Sequence, residues 1–369
     1  MKRFKIILVF IIVMGISGLI IFYPKASCCG VKNGLDFCFM VLIPSLFPFM
    51  IISSFIVKSG ISDIIGKVGG GATKILFRLP GITFATVIIS LIGGYPTGAR
   101  GIRSLVDSGS ITKKQAELML LFCVGAGPGF VINAVGCNMF NDFNIGVILF
   151  LSQILSSLML GIICSVFYKK SFINDVKTVD INIKKNENIS ISKALITSVS
   201  DSIISIMNMC GFVILFSCLI SVLEASGFID FIASLLLKIF IPNSISYSVI
   251  PSVLEVTTGC KVSVANKAPI EFIAFVLGFS GICVHFQIFS MINISFSKLK
   301  FILARLAHGI MAALNSYILL NIFPISRPVC FSTAHIIGKQ DISLNLIGVL
   351  SLILMSAVFL LSLREGENT

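Results

Sequence analysis

Residues 93–100 read GGYPTGAR and follow FATVIISLI (84–92), a run apolar enough to sit in lipid. Four of the six residues in GGYPTG are glycine or proline, and Arg100 stands just beyond. One glycine or proline is tolerated in a membrane helix, whereas this concentration predicts a break. In hydrocarbon an unpaired backbone group costs several kcal/mol, so such a break must line a protein interior or a water-filled cavity.

The rest of the chain supplies the membrane setting. Of 369 residues, 56% are hydrophobic and 12% charged, where a soluble protein carries about 25% charged. Mean hydropathy is +1.04. Several runs reach the roughly 18 apolar residues that read as a membrane span, and the alternating pattern of a membrane barrel is absent. The net charge of +12 sits at segment ends and in one lysine-rich stretch. It therefore reads as topology signals and contacts to anionic lipid, and no nucleic-acid motif accompanies it.

Spans are expected at about 6–23, 38–57, 144–168, 203–223, 301–322 and 343–363. Short apolar pieces lie between them at 82–93, 99–124, 129–140, 244–256, 269–278 and 282–296, and interfacial helices near 58–81 and 228–241. MKRFK followed by 18 apolar residues has the form of an export signal long enough to remain as an anchor. The next residues, PKASCC, superficially resemble a lipoprotein cleavage site, but Lys25 stands where an apolar residue is wanted.

The domain reading is an anchor helix and loop (1–35), a first repeat (36–168), a basic cytoplasmic linker (169–195), a second repeat (196–322), and a C-terminal span and tail (323–369). By the positive-inside rule MKRFK, the linker lysines, Lys298, Lys300 and Arg305 face the cytoplasm, as does the N-terminus. Each repeat then makes three crossings in opposite senses, the inverted-repeat plan common among secondary transporters.

Internal similarity supports duplication. SGISDII (59–65) parallels SGFIDFI (226–232), FRLPG (77–81) parallels IFIPN (239–243), and YPTGAR (95–100) parallels VTTGCK (256–261). Lys114, Glu117 and GAGPG (125–129) parallel Lys267, Glu271 and GFSG (278–281). The fold class is thus an all-α polytopic membrane protein of two inverted-topology repeats with broken, re-entrant helices, plus an N-terminal anchor and a C-terminal helix.

Half-helix ends carry partial charges of about half a unit and suit polar solutes or ions. The expected solute site therefore gathers Gly94, Tyr95, Thr97, Gly98 and Arg100 from the first break and Gly127, Gly129 and Asn133 from the second. Glu255, Thr257, Thr258, Gly259 and Lys261 come from the third, and Ser280 from the fourth. Each has a simpler reading. Arg100 and Lys261 could snorkel to the interface, Glu255 could pair with Lys261, and TTG could kink without breaking. Asn133, Asn208, His285 and Gln287 suit helix–helix hydrogen bonds. Thr112 and Gln115 form a capping box, which makes Glu117 an amphipathic surface residue.

Enzyme signatures are missing. GGGATK (69–74) lacks the spacing of a phosphate loop, and there is no GxSxG or HExxH. The three histidines are scattered and the eleven cysteines contain no CxxC pair, so no catalytic residue, metal or cofactor is expected.

PSLFPFMIISSFIVKSG (44–60), FRLPG, GGYPTGA and GAGPGFVINAVG (125–136) resemble the YlbJ family of sporulation integral membrane proteins. The resemblance covers about residues 36–322 and is strongest over 44–140. Each repeat is similar to the nucleoside-recognition or Gate domain shared with concentrative nucleoside transporters and with the membrane part of the ferrous iron transporter. The resemblance implies a bacterial cell-membrane protein of sporulating cells, needed for the spore cortex. A nucleoside ligand is not implied: the chain has no tryptophan and five tyrosines. Three functions follow as expectations: a permease for a small polar solute, a non-transporting scaffold of sporulation, and a nucleoside transporter. Membrane lipids, a second copy of the chain or other sporulation membrane proteins are the expected partners, and nucleic acid is not.

Overall fold

The computed structural model describes residues 2–168, 190–292 and 296–324, and every element among them is helical. Most of the basic linker and the span expected at 343–363 lie outside these residues. Among the described residues, five helices are long and apolar enough to cross a membrane. They are α2 (Pro24–Lys58), α8 (Phe143–Phe167), α9 (Ile191–Ala225), the Ile270–Met291 segment, and α15 (Lys298–Ile322). α1 (Lys2–Phe22) precedes them.

The stretch expected as a loop before residue 36 is helical. Proline suits the first turn, where its missing N–H leaves no hydrogen bond unmade, and Pro24 opens α2 in that position. A π-helical turn at Cys38–Leu42 then carries the helix on to Lys58. Gly30 and Gly34 let α2 approach α9 closely: a Cβ on Gly30 would lie 2.7 Å from the Ser217 carbonyl oxygen, and one on Gly34 2.9 Å from Ile214 Cα. Close approach of this kind recovers dispersion contacts that lipid would otherwise supply.

Between the long spans lie α3 (Ile61–Leu76), α4 (Thr83–Gly93), α5 (Tyr95–Asp107), α6 (Lys113–Phe122) and the π-helical α7 (Gly129–Met139). After α9 come α10 (Phe228–Lys238), α11 (Asn243–Leu254), α12 (Val256–Ala265), α13 (Ile270–Phe279) and α14 (Gly281–Met291). The piece expected at 99–124 is two helices, because residues 108–112 turn the chain and the Thr112–Gln115 capping box starts α6.

The break at GGYPTGAR closes a hairpin. Gly98 packs on Ser90 and Gly101 on Thr86, so α5 runs back along α4. The break at VTTGCK does the same: Gly259 packs on Ser252, and Asn266 donates to Ser248 at 3.1 Å. TTG is therefore not a kink in a continuous span. Glu255 is extended (φ −148°, ψ 123°) between two helices.

Left-handed backbone recurs at matching places. Gly60 and Gly227 (φ 79° and 75°) precede α3 and α10, and Arg78 and Phe240 (φ 55° and 65°) follow them. On α3, Ile64, Val68 and Ile75 are exposed on one side while Gly70 abuts Gly81 on the other. That is how an amphipathic helix lies at an interface.

Candidate functional site

The two hairpin tips meet the two interrupted helices. A Cβ on Gly127 would stand 2.8 Å from Gly94 N, and one on Gly281 3.0 Å from Val256 N. Gly94 has φ 78° and ψ −168°, a conformation that glycine alone adopts without strain. Backbone thus lies on backbone at both crossings.

A small cavity of about 20 Å³ lies where these elements converge, enough for a water molecule. Gly94 and Tyr95 border it from the first hairpin, Gly127 from the first interrupted helix, Glu255 and Thr257 from the second hairpin, and Gln287 from α14. Most of the remaining border is apolar, including Leu46, Met50 and Val213.

Glu255 is 1% exposed. Its carboxylate accepts from Thr257 N at 2.9 Å and Thr258 N at 2.6 Å, and from the Thr257 hydroxyl. It is the N-cap of α12, with its negative charge at the positive end of the helix. No ion pair joins it to Lys261, whose side chain is exposed and reaches over the Phe37 ring at 5.9 Å.

The carbonyls freed at the other breaks are met by side chains from distant elements. Tyr95 donates to the Leu277 carbonyl at 2.7 Å. Arg305, on α15, donates to the Leu121 carbonyl at 2.6 Å and to that of Val124. The His308 ring lies 3.2 Å from the freed Gly278 carbonyl and 3.3 Å from the Gln153 carbonyl inside α8, while Gln153 itself donates to the Ala274 carbonyl inside α13 at 2.9 Å. Unpaired carbonyls buried this deeply would each cost about 1–3 kcal/mol.

One curated protein compares with this architecture over most of its length. The sporulation integral membrane protein YlbJ of Bacillus subtilis (strain 168) is 27% identical over 322 residues, covering 81% of this chain and 78% of the relative. This chain is a homologue of YlbJ. It is an integral, multi-pass membrane protein. No protein-family model and no solved structure matches it.

Of the residues expected at a site, this YlbJ homologue brings Gly94, Tyr95, Gly127, Glu255 and Thr257 to the cavity. The others lie around it in supporting positions. Thr97 turns its hydroxyl back to the Gly94 carbonyl at 2.8 Å, Gly98 packs on the Cys123 carbonyl, and Gly129 on that of Ser45. Gly259 packs on Ser252, and the Thr258 hydroxyl is 3.3 Å from that of Ser217. Ser280 is buried in left-handed backbone (φ 76°) between α13 and α14. Arg100 and Asn133 are half-buried and, like Lys261, do not line the cavity.

Two readings need correction. Arg305 is not a cytoplasm-facing marker, because it is 0% exposed, two turns into α15 from Lys298. Glu117 is not an open surface residue. Its carboxylate is 3.6 Å from Lys300 Nζ and accepts from Ser297 N at 3.3 Å, which ties α6 to the start of α15. Sequence reasoning also passed over Gln153 and His308, which carry no motif.

Proposed function

We propose that this chain is a membrane protein of sporulating cells that moves a small polar solute through the place where its four helix breaks converge, in support of spore cortex formation. The carrying observation is that convergence: tips of two hairpins and one side of each interrupted helix surround one cavity. Irregular backbone at membrane depth belongs in such a position.

Duplication supports the reading. Residues 36–168 and 196–322 run through the same order of span, surface helix, hairpin, interrupted helix and span. Left-handed residues fall at corresponding points. We take these as inverted-topology repeats of the Gate type, with re-entrant hairpins and the N-terminus in the cytoplasm. The chain is not an enzyme on this reading, and uses no cofactor.

The small volume of the cavity fits a closed state between two open ones. It also favours a second reading, a scaffold of sporulation that inherited a transporter fold and moves nothing. Thr257→Val, Gln287→Ala and Glu255→Gln, all bordering the cavity and each at normal membrane level, separate them. The transporter reading expects loss of cortex and heat resistance in all three. Full heat resistance in all three contradicts the site.

A further inference from the structure

Arg305 is a buried cation held by carbonyls. Its guanidinium donates to Leu121 and Val124, at the carbonyl end of α6 where the first interrupted helix opens. The Phe301 ring lies 5.8 Å away. Among the described residues the ion pairs are Lys58–Asp201, Arg103–Asp107 and Lys300–Glu117, and no carboxylate is paired with Arg305. Glu255, the buried acid, spends its oxygens on its own helix.

A buried charge without a counter-ion needs other compensation. The end of α6 offers it: unpaired carbonyls and the negative end of a helix dipole. In broken-helix transporters such half-helix carbonyl ends are where sodium or protons bind, and carbonyl rings replace the hydration shell of alkali ions in channels. Here a side chain from α15 occupies that position. The opposite face of the same break is packed: a Cβ on Gly98 would clash with the Cys123 carbonyl.

We propose that Arg305 is a tethered cation occupying the place of a free coupling ion, so that the closed conformation requires no alkali metal. The inference rests on the transporter reading, but its test needs no transport. Purified full-length protein is unfolded by heat, with thiol exposure as the readout, in sodium, potassium or choline chloride at equal ionic strength. Wild type is expected to unfold at the same temperature in all three. Arg305→Ala is expected to unfold several degrees lower in choline and to recover saturably with sodium or methylguanidinium, which re-occupy the vacated carbonyls.

A saturable sodium response of the wild type over choline overturns the proposal. So does a folded Arg305→Ala with no cation response, or Arg305→Gln with the wild-type midpoint in choline, since neutral donors would then suffice. If Arg305→Ala does not fold, the wild-type series still decides. A solute uptake assay run in parallel tests transport separately, and failure there leaves the cation result standing.

Discussion

The phenol of Tyr95, at the tip of the first hairpin, donates to the carbonyl of Leu277, 182 residues further along the chain, at 2.7 Å. Leu277 lies in α13, close to the end where the second interrupted helix breaks. One hydrogen bond therefore joins the hairpin tip of one half to the break of the other.

Tyr95→Phe removes that donor and little else. The Ser280 hydroxyl still donates to the same carbonyl at 3.3 Å, so the loss should be one net hydrogen bond, about 0.5–1.5 kcal/mol, read as a lower unfolding temperature of purified protein. Heat resistance of spores should fall with it at unchanged membrane level. A variant as stable as wild type would show that the bond carries no weight.

The tip glycines should tolerate nothing larger. Gly94→Ala meets a glycine-only conformation and should cost about 1–3 kcal/mol, and Gly127→Ala drives a methyl to 2.8 Å from Gly94 N. Gly71, on α3, has open space around its Cβ position, so Gly71→Ala should be neutral or stabilising by up to about 1 kcal/mol. Membrane abundance of the three variants provides the comparison.

Glu255 should separate stability from function. Glu255→Ala removes the cap and should cost about 0.5–2 kcal/mol. Glu255→Asp keeps a carboxylate at the N-cap and should recover most of that loss. Thermal unfolding of the two variants checks this order, and equal midpoints would contradict the capping role.

The Lys58–Asp201 pair is short, at 2.6 Å, but its side chains are 26% and 49% exposed. Solvent screening limits such a pair to below about 1 kcal/mol. Asp201→Asn should therefore shift the unfolding temperature little. A large drop would mean that the pair holds the end of α2 against α9 far more firmly than its exposure allows.

How much of this was legible in the sequence depended on whether the signal was local. GGYPTG announces a break because proline lacks a donor and glycine permits φ 78°. VTTG was located too, yet the cap was missed, since glutamate is not among the favoured N-cap residues. Gly30 and Gly34 form a small-residue pair that could have predicted a helix interface, but the nearby Pro24 and lysines read as loop. Arg305 was misread because charge counting near a span end says nothing about depth or which neighbour the residue faces. Gln153 and His308 are joined only by the folded chain, and no spacing rule reaches across 155 residues.

Transport on the proposed reading is passage of a solute through the converging breaks. Its most direct test compares small-molecule contents of the developing spore and mother cell in wild type, a deletion strain, and Glu255→Gln at normal membrane level. The account predicts that at least one polar solute is depleted in the spore of both mutants and accumulates in the mother cell. Unchanged solute distributions in both, with heat resistance lost, would contradict transport and leave the scaffold reading.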